Sequence, residues 1–165
     1  MKRVVVLALI LLLSACGLRP LYSNGEGGHV VQALRTVDVA PIDGKAGWLM
    51  RNALNDRLGH DTGTSARYRL EVELDDSISG FGVRRDDAIT RERRTLRARY
   101  RLVDAAKGTV LLDATTGSDA GIDVVSSEYA TVAAESTALE RLSQIIADQI
   151  VARVALFAER QTPEK

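Results

Sequence analysis

Two groups of residues in this 165-residue chain are chemically suggestive, a lone thiol and a run of guanidinium groups. Lys2 and Arg3 precede an apolar run from Val4 to Leu13, and the segment closes on Leu13-Ser14-Ala15-Cys16. A basic start, an apolar run too short to cross a bilayer and small residues before a cut are the parts of an export signal. Cys16 is the only cysteine, so no disulfide can form within the chain and its stability must come from elsewhere. The second group lies between Arg84 and Arg101, where Arg84, Arg85, Arg91, Arg93, Arg94, Arg97, Arg99 and Arg101 outnumber Asp86, Asp87 and Glu92. Arg97, Arg99 and Arg101 alternate with Ala98, Tyr100 and Leu102, which puts the three guanidinium groups on one face of a strand about 6.5 to 7 Å apart. Planar, permanently charged forks at that spacing can pair with phosphates or carboxylates, and Arg91 and Arg93 extend the row. The same row also reads as a solvated sheet face laced by Glu71, Glu73 and Asp113 of neighbouring strands, a pattern worth only tenths of a kcal/mol per pair.

Other chemistry finds no residues to carry it. No hydrolase elbow, phosphate loop or paired-cysteine metal motif occurs, and the only histidines are His29 and His60. His29 falls in a polar, glycine-rich stretch and His60 just past a helix stop, so neither has a ligand cluster or a nucleophile to activate. No cofactor or metal is expected, and Asp86, Asp87 and Glu92 are read as moderating the basic stretch. The chain balances 22 basic against 22 acidic residues, and removing Lys2 and Arg3 with residues 1–15 leaves the mature part about two charges negative. That balance gives no support to nucleic-acid binding. The 150 residues that remain suit one domain with a two-layer core.

The elements that must position the arginines follow from periodicity. Residues 17–28 are polar and glycine-rich and read as a tether. Leu34 to Ile42 reads as a short strand centred on Val37 and Val39 and ended by Pro41 and Asp43-Gly44. Ala46 to Leu58 carries Trp48 or Leu49, Ala53, Leu54 and Leu58 at helical spacing, and Gly59 stops the helix. Tyr68, Leu70, Val72 and Leu74 alternate with charged residues as a half-buried strand. Residues 77–87 are expected to form an irregular connection, followed by a strand that buries Leu96, Ala98, Tyr100 and Leu102. A tight connection at residues 105–108 leads to a strand with Val110, Leu112 and Ala114, and residues 117–127 are expected to cross the end of this meander. From Glu128 to Ala158 a long helix buries Val132, Leu139, Leu142, Ile146, Ile150, Val154 and Phe157, with Ser127 as its cap. Trp48 and Tyr100 are read as core anchors. The expected fold is a two-layer α/β sandwich, a mostly antiparallel four-stranded sheet covered on one face by two helices.

The segment ending on Cys16 resembles the lipobox of bacterial lipoproteins. That resemblance implies a diacylglycerol on the Cys16 thiol, cleavage before it and acylation of the new amino terminus; three chains would anchor firmly at about 0.8 kcal/mol per buried methylene. Gly17 stands where an aspartate would, by the Gram-negative sorting rule, retain the protein in the inner membrane, which favours the outer membrane. Leu13-Ser14-Ala15-Cys16-Gly17-Leu18-Arg19-Pro20-Leu21-Tyr22, the strand at Val37 to Ile42 with its helix, and Arg97-Ala98-Arg99-Tyr100-Arg101-Leu102 together resemble the LptE family of lipopolysaccharide-assembly lipoproteins in its alphaproteobacterial form. The resemblance implies a non-enzymatic outer-membrane lipoprotein on the periplasmic side, plug and assembly partner of the LptD-like β-barrel that exports lipopolysaccharide, and in contact with lipopolysaccharide. The resulting division is a signal at 1–15, a lipidated tether at 16–29, a single domain at 30–158 and a polar tail at 159–165. Arg91, Arg93, Arg97, Arg99 and Arg101 are then the candidates for lipid or barrel contact. A periplasm-facing lipoprotein that binds another lipid, a cell-wall component or another barrel is the alternative.

Overall fold

The computed structural model describes residues 28–59, 65–83 and 89–161. In chain order the elements are α1 (His29–Arg35), β1 (Val37–Val39), α2 (Gly44–Leu58), β2 (Tyr68–Val83), β3 (Ile89–Asp104), β4 (Val110–Asp123) and α3 (Glu128–Arg160). One sheet runs β1-β2-β3-β4, with β1 parallel to β2 and the other pairings antiparallel. The parallel pair is joined through α2, as parallel strands need a crossover, whereas β2, β3 and β4 form a meander.

The period-two pattern sets the buried face. Leu70 on β2 and Leu96, Ala98, Tyr100 and Leu102 on β3 turn toward the helices and are almost fully buried. The 33 residues of α3 rise about 50 Å, close to the length of the 16-residue β3 at about 3.3 Å per residue, so one helix runs the length of the sheet. Its stripe of Leu139, Leu142, Ile146, Ile150 and Val154 is buried as the spacing predicts, and Ser127 Oγ accepts the Ala130 N–H at 3.4 Å. Helix α2 lies beside α3 in the same direction. Lys45 Nζ donates to Ser136 Oγ at 3.1 Å, and one stretch further along both helices Arg57 grips Asp148, with Nη2 to Oδ2 at 3.2 Å. Two glycines let α2 start and stop where it does. A Cβ at Gly47 would lie 2.4 Å from the Ile42 carbonyl oxygen, and Gly59 ends α2 at φ +59° while its N–H bonds Asn55 O at 3.1 Å.

Several expectations change in the structure. Three helices cover the sheet, because His29–Arg35 is helical and buries Leu34; the strand expected over Leu34 to Ile42 keeps only Val37–Val39. Val30 and Leu34 have helical spacing, four residues apart, and both join the core. The connection expected at residues 77–87 is shorter, since β2 continues through Gly80 and Gly82 to Val83. Likewise β4 continues to Asp123 instead of leaving the sheet at Gly117. Backbone pairing to β3 carries both extensions even though the glycines weaken the sequence pattern. Trp48 is 64% exposed and is no core anchor; it lies across the helix from Met50, Leu54 and Leu58, which fill that role, while Tyr100 is buried as expected. Val132 is also exposed and Phe157 only half-buried.

Candidate functional site

The face of the sheet away from the helices has no covering layer among the described residues. Strand alternation and register place Arg91, Arg93, Thr95, Arg97, Arg99 and Arg101 of β3 in its centre. Arg69, Glu71, Glu73 and Asp75 of β2 stand on one side, and Asp113, Thr115, Asp119 and Asp123 of β4 on the other. With Asp38 of β1 beside Arg69, six arginines thus share this face with seven carboxylates, so it is a nearly neutral mosaic with its positive charge in the middle column.

The arginines differ in how they are held. Arg99 forks onto Asp113, Nε to Oδ1 at 3.2 Å and Nη2 to Oδ2 at 2.9 Å; the hydrogen bond raises the Arg99 pKa and lowers that of Asp113. Arg101 meets Glu71 at 3.1 Å, and Glu71 also takes Arg69 at 3.0 Å. Arg91 pairs with Asp123 at 3.0 Å. Arg93 approaches Asp119 at 3.8 Å and lies over the Phe81 ring at 5.2 Å. Arg97 is exposed and makes no ion pair among the described residues, although it stands opposite Asp75 and Gly117. Gly117 leaves room for it: a Cβ there would sit 3.2 Å from Arg97 Cγ. A shallow hollow of about 310 Å³ beside it is lined by Glu73, Leu74, Asp75, Arg97, Arg99 and Thr115.

All five candidate arginines therefore share one face, and the lacing carboxylates include Glu71 and Asp113 as the alternation suggests, together with Asp119 and Asp123. Glu73 forms no ion pair among the described residues. Glu92 projects to the helix side, where its Oε2 is buried with no hydrogen-bond donor among the described residues, so within the basic stretch it stands apart from the row of Arg91 and Arg93. Arg94 has a structural role that the basic run concealed. It turns toward the helices, forks onto Asp76 (Nε at 2.8 Å, Nη2 at 2.5 Å) and donates to the Glu135 carbonyl of α3 at 2.9 Å. The Asp76 hydrogen bond raises its pKa against the opposing effect of burial. The even-numbered position of Arg94, in phase with Leu96, was the available signal. Cys16, Arg84, Arg85, Asp86, Asp87 and His60 lie outside the described residues. Among those described, no cluster of three or more possible metal ligands occurs and no helix is long and apolar enough to cross a membrane.

A family model described as LptE, lipopolysaccharide-assembly, matches residues 34–154. A Caulobacter crescentus chain described as a lipoprotein is 26% identical, covers 83% of this chain and 100% of its own length, and superposes with a TM-score of 0.71. The rare lipoprotein B of Shewanella oneidensis, 9% identical, covers 75% of this chain and 95% of its own with a TM-score of 0.59. A minor lipoprotein of Acinetobacter baumannii, 13% identical, covers 77% and 94% with a TM-score of 0.54. At those two identities the likeness is one of fold. No curated protein matches the chain significantly in sequence.

Proposed function

Because this chain belongs to the LptE lipopolysaccharide-assembly family, an outer-membrane lipoprotein family that works without catalysis, we propose that it plugs and helps assemble an LptD-like lipopolysaccharide-export barrel from the periplasmic side, anchored by lipid at Cys16. The observation that carries this reading is the family match across residues 34–154, a span that includes the whole sheet and its uncovered arginine face.

Arg91, Arg93, Arg97, Arg99 and Arg101 form the contact face. Four of them already hold carboxylates, so a polyanion would have to displace an existing partner at each. A mixed-charge barrel wall can instead trade ion pairs without leaving a charge unmatched, which favours protein contact for those four. Arg97 is the position open to a lipopolysaccharide phosphate or a barrel carboxylate without such displacement. Affinity isolation of the lipoprotein from detergent-solubilised outer membranes tests the central claim. Recovery of a large lipopolysaccharide-export barrel in equal proportion is expected, and reproducible absence of any barrel under conditions that preserve membrane complexes would refute it. Charge reversal at Arg97 and Arg99, with lipid binding and barrel recovery measured in parallel, separates glycolipid contact from protein contact.

A further inference from the structure

Strand β2 has sixteen residues, but β1 pairs with only Tyr68, Arg69 and Leu70. The last bond of that pairing is Ala40 N–H to Leu70 O at 2.9 Å. Pro41 follows, has no N–H to continue the ladder, and the chain leaves for α2. On β1 itself the Val39 carbonyl is taken by Arg51 Nε at 3.2 Å. In a strand the N–H and C=O of one residue point to the same side, and successive residues alternate. Since Leu70 faces β1, the backbone groups of Val72, Leu74, Asp76, Ile78 and Gly80 point outward with no strand beside them among the described residues.

This edge has few of the usual guards, its one inward-facing charge being Asp76, which Arg94 matches. From residue 71 to 83 it carries no lysine, proline or register shift, and residues 75–81 are exposed on both faces of the strand. Ile78 is one of the exposed large apolar side chains. Glu73 and Asp75, next to the edge on the uncovered face, make no ion pair among the described residues, although Glu73 stands opposite Arg99 and helps to raise its pKa. The opposite edge differs. On β4, Asp113, Asp119 and Asp123 are matched by Arg99, Arg93 and Arg91, and the Thr116 side chain bonds Gln149 of α3.

We propose that the outer edge of β2 from Val72 to Gly80 takes up an extended basic segment of a partner protein as an added strand. Main-chain hydrogen bonds supply the attachment, alternate lysines or arginines face Glu73 and Asp75, and the intervening side chains lie on Leu74 and Ile78. A second copy of the chain is disfavoured as occupant, because β2 against β2 brings acidic side chains together. Only the partner's identity rests on the barrel reading; the recognition chemistry does not.

The test uses the isotope-labelled mature chain carrying Cys16→Ser and, as probe, the peptide acetyl-Lys-Val-Lys-Val-Lys-Val-amide at millimolar concentration. Amide exchange at Val72, Leu74, Asp76 and Ile78 is expected to slow about tenfold, while the corresponding glutamate peptide has no effect. Ile78→Pro removes one outward N–H and spares the β2–β3 ladder, so it should abolish protection with the melting profile retained; the pair Glu73→Lys and Asp75→Lys should reverse the peptide preference and keeps the edge testable if the proline variant unfolds. In cells, either change should lower barrel recovery about fivefold or more. Equal response to both peptides, protection at β4 instead, no protection, or protection that grows with protein concentration alone each overturns the proposal. Peptide protection in a protein that recovers no barrel leaves the edge standing and removes the barrel reading, whereas barrel recovery indifferent to both variants overturns the edge and leaves that reading intact.

Discussion

Arg94 and Arg97 sit three residues apart on one strand and illustrate how a side chain's direction decides its role. The Arg94 side chain is 12% exposed, and its removal strands Asp76 and the Glu135 carbonyl. Arg94→Ala is expected to cost about 1–3 kcal/mol in urea unfolding. Arg97→Ala removes no ion pair and should stay within about 0.5 kcal/mol; equal effects of the two substitutions would contradict this division. Acid titrates a different set. Asp104 is held below the usual carboxylate range by the Lys107 N–H, Asp113 by Arg99 and Asp148 by Arg57. Groups with lowered folded pKa stabilise above their unfolded value near 4 and lose that contribution as pH falls through the folded values. Stability measured by denaturant midpoint should therefore be flat above about pH 5 and decline below about pH 4, with a shallow slope because these carboxylates are largely solvated.

Helix α2 depends on what its glycines permit. A methyl group at Gly47 would collide with Ile42 backbone at 2.4 Å, so Gly47→Ala is expected to lower stability by more than about 2 kcal/mol. Gly59→Ala imposes a Cβ on a left-handed cap and should cost about 1 kcal/mol. Gly121 on β4 meets nothing within 4 Å, and alanine there should be neutral within about 0.5 kcal/mol. Thermal or denaturant unfolding of the three variants checks the order, and a neutral Gly47→Ala would show that the chain turns from Ile42 into α2 differently. The amphipathic stripe of α3 and the alternation of β3 were legible in sequence because each buries one continuous face. The ends of β2 and β4 were not, since Gly80, Gly82, Gly117 and Gly121 interrupt the alternation that backbone pairing to β3 sustains.

For the molecule as a whole, the proposed function assigns location and partner to different parts of the chain. We predict that a fatty-acid probe supplied to growing cells labels the wild type through Cys16; equal labelling of Cys16→Ser would place the anchor elsewhere. The folded part presents a face of nearly balanced charges, so the proposed contact with a barrel should weaken only gradually with salt, unlike that of a purely cationic patch. A steep salt dependence of barrel recovery would point back to polyanion binding.

The sequence alone determined the sole cysteine, the strand and helix order from α2 onward, and the common face of Arg97, Arg99 and Arg101, because these depend on composition, on local spacing and on the two periods of regular structure. Tertiary structure decided what each charge does. Partners for Arg91, Arg93, Arg99 and Arg101 come from strands that only the register brings opposite them. Glu92 and Arg94 turned inward because the strand stays in phase beyond Leu96, and Trp48 turned outward because Met50 set the phase of α2. Helix α1 formed where a glycine-rich sequence gives way to Val30 and Leu34, whose apolar side chains gain by reaching the core between α3 and β1. Local spacing specifies a face; the energy of burial and pairing, set by residues far away in sequence, specifies what that face meets.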